Sequence, residues 1–121
     1  MEIRSLNEAD AGLFQALRLF GLRECPTAFS SSYGEECLLP LEVVAQRIAQ
    51  SHDGCVFGAF DQSGLVGCIG IHREMKTKLA HKAVIWGMYV DPAHRAKGVG
   101  RELMAHVLRF AASMPGLRNL I

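Results

Sequence analysis

The residues best suited to chemistry in this chain form a basic, glycine-rich turn, Arg95-Ala96-Lys97-Gly98-Val99-Gly100-Arg101. The turn follows a predicted strand and opens a predicted helix. N–H groups in the first turn of a helix lack intrahelical partners, and the helix dipole adds partial positive charge there. Gly98 and Gly100 let a ligand approach those groups closely, and three cationic side chains lie beside them. The turn therefore predicts a phosphate or pyrophosphate site.

Two common nucleotide-binding patterns do not fit this turn. The Walker A loop needs Gly-x-x-x-x-Gly-Lys-Ser/Thr, and the sequence contains no such run. The dinucleotide fingerprint needs Gly-x-Gly-x-x-Gly, but Leu103 stands at the third glycine position. That fingerprint also needs an acidic residue about 20 positions further on, and the sequence ends at Ile121.

A third pattern fits both the turn and the strand before it. The turn resembles the acetyl-CoA-binding motif Gln/Arg-x-x-Gly-x-Gly/Ala of the GNAT superfamily of N-acetyltransferases. The preceding run resembles that family's strand, hydrophobic-Tyr-Val-x-Pro-x-x-Arg, and reads Met88-Tyr89-Val90-Asp91-Pro92-Ala93-His94-Arg95. The resemblance implies that the cofactor is acetyl-CoA. Its pyrophosphate would lie on residues 95–101, and its pantetheine arm would pair with the backbone of Met88, Tyr89 and Val90.

Periodicity and turn signals predict the elements that must position this turn. We expect a strand at Glu2–Leu6, a helix from Asn7 to Glu24, a loop over 25–39, and a helix that begins at Pro40 and ends between Ser51 and Gly54. Two strands follow, Cys55–Phe60 and Leu65–Met75, joined by a four-residue hairpin. Then come a polar connection over Lys76–His81, a strand at Lys82–Val90, a helix from Gly98 to Met114, and a strand at Leu117–Ile121.

The predicted order β–α–α–β–β–β–α–β indicates an α+β, or mixed α/β layer, fold in one domain over residues 1–121. The helix between the last two strands makes them parallel. On the first helix we expect Leu13, Leu17 and Phe20 to form the buried stripe, with Phe14 beside it. Gly87 is expected to form either a β-bulge or a close-packing position. The order also matches the GNAT fold, which would bind acetyl-CoA between the last two strands.

Composition restricts the class of protein. Of 121 residues 50% are hydrophobic and 21% are charged, with a formal net charge of +1, which favours a packed domain and argues against a nucleic-acid-binding face. The four cysteines and five histidines lack ligand spacing, so we expect no metal site and reduced thiols, some of them buried. Without an apolar leader or membrane-length run, we expect a cytoplasmic protein.

The resemblance implies acetyl transfer to a primary amine, either a small molecule or a peptide. The amine must be neutral to attack, so a base or a water chain is needed. Family members often place a glutamate near the positions of Trp86 and Gly87, and this sequence has none there. Weak candidates for the base are His72, Glu74 and His81. The acidic pair Glu35 and Glu36 is expected to lie in a solvated loop.

The resemblance also implies further elements after Leu117–Ile121, a helix and a hairpin, of which the helix often supplies a tyrosine that protonates the thiolate. The sequence is therefore expected to be a GNAT domain that is short at its carboxyl end. Three explanations stay open: a truncated chain, a fold completed by another chain with a possible homodimer, or a non-catalytic acyl-CoA-binding or dimerisation module.

Overall fold

A computed structural model of the protein describes residues 1–29, 31–74 and 81–121. Five strands form one sheet: β1 (Glu2–Ser5), β2 (Gly54–Asp61), β3 (Gly64–Arg73), β4 (Lys82–Val90) and β5 (Asn119–Leu120). The spatial order is β1-β2-β3-β4-β5, with antiparallel neighbours except for the parallel pair β4 and β5. The predicted α+β class and the parallel last pair are confirmed, and the order of elements along the chain is as predicted except for an additional short helix before β2.

Helices cover both faces of the sheet. They are α1 (Ala11–Glu24), α2 (Tyr33–Glu36), α3 (Leu41–Ile48) and α4 (Val99–Ala112). On one face α4 presents Val99, Leu103 and Val107, all buried, to the inner residues of β2, β3 and β4. On the other face α1 and α3 pack through a second apolar cluster that includes Phe14 and Ile48. Burial on both faces explains why the β4 sequence is apolar almost throughout.

The strand β4 contains a β-bulge at Gly87. Cys68 pairs with Tyr89 and Gly70 with Trp86, so one residue of β3 faces two of β4. Gly87 has φ +63°, the left-handed conformation that the first residue of such a bulge adopts. A Cβ atom there would also lie 2.9 Å from Arg18 Nη1. Both expectations for this glycine are therefore confirmed.

The predicted buried stripe of α1 is wrong in two of its three positions. Leu13 and Phe20 are about half exposed, at 51% and 50%. The buried face instead contains Phe14, Leu17, Arg18, Gly21 and Leu22. It includes an arginine and a glycine, and Gly21 lies against the Tyr89 ring. A count of hydrophobic residues alone therefore selects the wrong face.

Three predicted boundaries also differ from the structure. The predicted loop over 25–39 contains a 3₁₀ turn at Pro26–Ala28 and the helix α2, whose N-cap Ser32 accepts a hydrogen bond from the Glu35 N–H. The hairpin between β2 and β3 has a two-residue loop, because Asp61 already pairs with Gly64. The helix α3 ends at Ile48, before the predicted end between Ser51 and Gly54.

Some predictions lie outside the described residues. They are the end of the third strand at Met75 and the polar connection except for His81. None of the helices in the described ranges is long and apolar enough to span a membrane.

Candidate functional site

The turn predicted to bind phosphate lies at the amino terminus of α4. Gly98 is its N-cap residue, in the left-handed conformation with φ +82°, and no side chain caps the N–H groups of the first turn. These N–H groups have no intrahelical partners and point away from the helix. No atom lies within 4 Å of the Cβ position at Gly98. The N–H donors of this turn are therefore uncapped, and the space beside Gly98 is open.

Arg95 connects this turn to the preceding strand. Its Nε donates to the Val90 carbonyl at 2.9 Å, and its Nη2 donates to Glu24 Oε1 at 2.7 Å. Lys97 and Arg101, the other two cations of the turn, are exposed. The sequence predicts the same role, contact with the phosphate, for all three cationic side chains. In the structure the Arg95 side chain is engaged in fixing the loop, while Lys97 and Arg101 extend into solvent.

Glu24 joins the end of α1 to β4 and the loop. It accepts hydrogen bonds from Arg95 and, at 3.0 Å, from the Tyr89 hydroxyl. The bond from Arg95 is the main reason that the pKa of Glu24 lies below its usual range. Burial, and then the bond to Glu24, raise the pKa of Tyr89. The Tyr89 phenol is thus held neutral and away from the edge of the strand.

The edge of β4 after Ile85 has no strand partner on the β5 side within the described ranges. β5 pairs with Lys82 and Ala83, and the Ile85 N–H donates to the Ile121 carbonyl. Along the open part, Met88 is 42% exposed and its Cε lies 3.0 Å from the Cβ position at Gly100. Tyr89 is buried, and Val90 is half-buried. The predicted pantetheine strand and the predicted phosphate turn are therefore adjacent.

A cavity of about 860 Å³ lies on the α1 and α3 side of the sheet, beside the bulge. Its walls come from α1, α3, the turn before β2, and strands β2 to β4. The charged and aromatic lining residues are Arg18, Arg47, Arg73, Asp53, His72, Phe29 and Trp86. Gly87 lines the same cavity, so the cavity and the open edge share the bulge.

Only one of the three candidate bases reaches this cavity. His72 lines it from β3, opposite Val84. Glu74 and His81 are not among the residues that line it. Their backbone groups form hydrogen bonds to neighbouring segments at the end of the sheet. The Glu74 N–H donates to the Lys82 carbonyl, and the His81 carbonyl accepts from the N–H groups of residues 118 and 119.

The cavity residues Arg18 and Arg47 form an ionic cluster with the buried Glu36, which sequence reasoning missed. Arg18 Nε and Nη2 donate to Glu36 at 2.5 and 2.9 Å, and Arg47 Nη1 lies 3.4 Å from the same carboxylate. Glu36 is only 5% exposed, so its predicted place in a solvated loop is wrong. Burial acts to raise the pKa of Glu36, but the bonds from Arg18 and its neighbours outweigh it and lower the pKa. An arginine in the middle of the buried α1 face was the available sequence signal.

The two buried thiols are poor nucleophiles. Cys55 lines the cavity and Cys68 lies behind the bulge, both buried as free thiols. Burial raises the pKa of each to about 12, so neither forms a thiolate near neutral pH. A covalent acyl-cysteine at either position is therefore disfavoured. No cluster of three or more metal-ligating side chains occurs in the ranges that the structure describes.

Comparison with protein-family models places this arrangement in a known class. The model described as the acetyltransferase (GNAT) family matches residues 21–121, which include the bulge, the open strand and the glycine turn. The chain belongs to this family. An uncharacterised protein of Mycobacterium leprae is 36% identical over 78 residues, 61% of this chain, and the chain covers only 20% of that relative's length.

Solved structures share the fold at low sequence identity. A GNAT-family acetyltransferase from Streptococcus pneumoniae matches with a TM-score of 0.77 at 20% identity, over 98% of this chain and 71% of its own. An aminoglycoside acetyltransferase from an uncultured soil metagenomic sample matches with a TM-score of 0.73 at 19% identity, over 99% of this chain and 76% of its own. AAC(6')-Iy, in complex with a CoA bisubstrate analogue, matches with a TM-score of 0.69 at 18% identity, over 99% of this chain and 76% of its own.

Proposed function

We propose that the chain transfers an acetyl group from acetyl-CoA to a primary amine by direct transfer. The observation that carries this proposal is the uncapped, glycine-led amino terminus of α4 beside the bulged open edge of β4, in a member of the acetyltransferase (GNAT) family. A structural neighbour bound to a CoA bisubstrate analogue supports the choice of cofactor.

In this proposal the N–H groups at the start of α4 hold the pyrophosphate, with Lys97 and Arg101 adding charge. Arg95 contributes through its backbone and by fixing the loop, since its guanidinium is already bonded. The pantetheine amides pair with the backbone of Met88, Tyr89 and Val90 as an added strand. A backbone N–H near the bulge polarises the thioester carbonyl and stabilises the oxyanion.

In the proposed reaction the acetyl group passes directly from the thioester to the amine, without a covalent enzyme intermediate. The neutral amine nitrogen attacks the thioester carbonyl carbon, a C–N bond forms, and the C–S bond breaks. The amine gives up one proton, and the departing CoA thiolate takes one up. His72 is proposed as the group that receives the amine's proton, because it is the one candidate base that lines the cavity.

Calorimetric titration with acetyl-CoA tests the cofactor site. Replacing Gly98 with valine places a side chain where the phosphate must approach the backbone, so we expect loss of measurable binding. Gly116→Val is the matched control, since Gly116 also has a positive φ, +74° against +82°, and open space at its Cβ position. Binding that survives in Gly98→Val, or is equally lost in Gly116→Val, would overturn the assignment of the site.

Turnover separates catalysis from the alternative, a non-catalytic acyl-CoA-binding or dimerisation module. Release of CoA thiol on addition of amines supports the enzyme. Tight acetyl-CoA binding without thiol release across a broad amine panel supports the module. The possible homodimer is a separate proposal, which light scattering during size-exclusion chromatography tests by the mass of the particle.

A further inference from the structure

We propose that the amine acceptor carries a carboxylate, which binds to Arg18 and Arg47 in the cavity beside Gly87. This inference rests on the proposed function for the statement that the bound molecule is the acetyl acceptor. The existence of the carboxylate site itself rests only on the cavity and its two guanidinium groups.

Arg18 lines the cavity and has one buried donor without a partner among the described residues. Its side chain comes from the middle of α1, is only 6% exposed, and lines the cavity wall. Its Nε and Nη2 are satisfied by Glu36, but its buried Nη1 has no hydrogen-bond partner within residues 1–29, 31–74 and 81–121. Buried polar groups in folded proteins are nearly always paired, and an unpaired one on a residue that lines a cavity points to a missing partner. The missing partner is a hydrogen-bond acceptor.

The charge of the cluster identifies that acceptor as an anion. Two guanidinium groups, Arg18 and Arg47, share the single carboxylate of Glu36, which leaves one positive charge in excess. Burial and the nearby Arg18 lower the pKa of Arg47, as expected where positive charge is not fully neutralised. Arg73 and Asp53 also line the cavity. Their opposite charges cancel, so the excess of one positive charge remains.

The two guanidinium groups are held in position by an aromatic ring. The Cζ atoms of Arg47 and Arg18 lie 4.8 and 5.6 Å from the centroid of the Trp86 ring. Contact with an indole stabilises a cation and orients its planar fork. Arginine forks match carboxylates in shape and bind them through parallel, charge-assisted hydrogen bonds. A carboxylate therefore fits this site in both charge and geometry.

The position of Arg18 limits the size of the acceptor. Its Nη1 lies 2.9 Å from the Cβ position of Gly87, so a carboxylate bound to it sits beside the bulge. The reacting amine must approach the same bulge, where the thioester is proposed to lie. A short spacing between amine and carboxylate, as in a free amino acid, meets both conditions. A polycationic amine such as an aminoglycoside is repelled by the excess positive charge.

The first test compares matched pairs of acceptors. Each pair consists of an amino acid and its carboxamide, which keep the same amine but differ in the anion. We expect kcat/KM to be about tenfold or more higher for the acids. Arg47→Gln should remove most of this preference by raising KM for the acids alone. Arg109→Gln, an equal loss of charge on the exposed side of α4, should leave the preference intact.

A second test needs no turnover. N-acetylated amino acids, which retain the carboxylate, are titrated into the protein without CoA, and the arginine side-chain NMR signals are followed. Saturable shifts that disappear in Arg47→Gln and weaken in Arg18→Lys support the site. If Arg18→Lys does not fold, the Arg47→Gln comparison still decides.

The outcomes separate the two claims. Equal use of acids and carboxamides, with no shifts on titration, would overturn the carboxylate site while the acetyltransferase function stands. If the unmodified protein does not bind acetyl-CoA, the proposed acetyltransferase function is overturned. Saturable binding of the N-acetylated amino acids would in that case still support the carboxylate site.

Discussion

At the scale of single residues, two carboxylates, one bonded to α1 and one at its end, perform different tasks. Glu36 is buried and neutralises one of two arginines at the cavity, whereas Glu24 stands at the surface and ties Arg95 and Tyr89 together. Neither role follows from the local sequence. Arg18 and Glu36 are 18 positions apart, and Glu24 and Arg95 are 71 apart, so each pair forms only when the elements pack.

Replacing Glu24 with glutamine tests its role in holding the phosphate turn. The change removes the charge that holds Arg95, so acetyl-CoA should bind about two- to fivefold more weakly, in keeping with an exposed ion pair. Calorimetry measures the affinity. Glu42→Gln, an exposed acid in the first turn of α3, is the control and should bind as the unmodified protein does.

The pH dependence of this effect has a defined sign. The pKa of Glu24 is lowered, mainly by the bond from Arg95, so its contribution is present above the ordinary carboxyl pKa and is lost as pH falls through the lowered value. The affinity gap between the protein and Glu24→Gln should therefore stay constant between about pH 6 and 8. A gap that closes within that window would contradict the role of the ion pair.

Replacing His72 with asparagine tests the proposed base. Loss of a general base lowers kcat by a factor on the order of 10². Acetyl-CoA affinity should not change, because His72 lies in the cavity and away from the start of α4. Steady-state kinetics and calorimetry measure the two effects, with His81→Asn as the comparison. Equal kcat for His72→Asn and the unmodified enzyme would indicate that water alone accepts the proton.

At the scale of elements, α1 connects the two halves of the site. Its residue Arg18 lines the cavity, and its last residue, Glu24, lies beside the glycine turn. The sequence predicted β4 and α4 well, since an apolar strand, an Asp-Pro turn and paired glycines give strong local signals. It predicted the end of α1 at Glu24 but not its buried face, because Arg18 and Gly21 interrupt the hydrophobic period that identifies such faces.

The bulge at Gly87 gives the element-scale prediction. Gly87→Ala forces a side chain into a left-handed conformation, at a cost of about 1–2 kcal/mol. Its Cβ also meets Arg18 Nη1 at 2.9 Å, so Arg18 must shift. The free energy of unfolding, measured in urea, should fall by more than in Gly116→Ala, where φ is +74° and the space is open. Equal losses would mean that Arg18 does not pack against the bulge.

At the scale of the whole molecule, the sheet brings the proposed phosphate site and a cavity to one strand. The glycine turn contacts β4 at Met88, and the cavity reaches it at Trp86 and Gly87. The order of elements was predictable, since each carries its own periodicity and turn residues. The cavity was not, because its walls come from segments spread between Arg18 and Gly87.

The most direct test of the central claim is a crystal structure of the protein with acetyl-CoA bound. We predict pyrophosphate oxygens within hydrogen-bonding distance of the N–H groups at residues 98–101, the pantetheine arm along residues 88–90, and the thioester carbon beside Gly87, open to the cavity. A cofactor bound elsewhere, or a thioester on the side of β4 away from the cavity, would contradict the account.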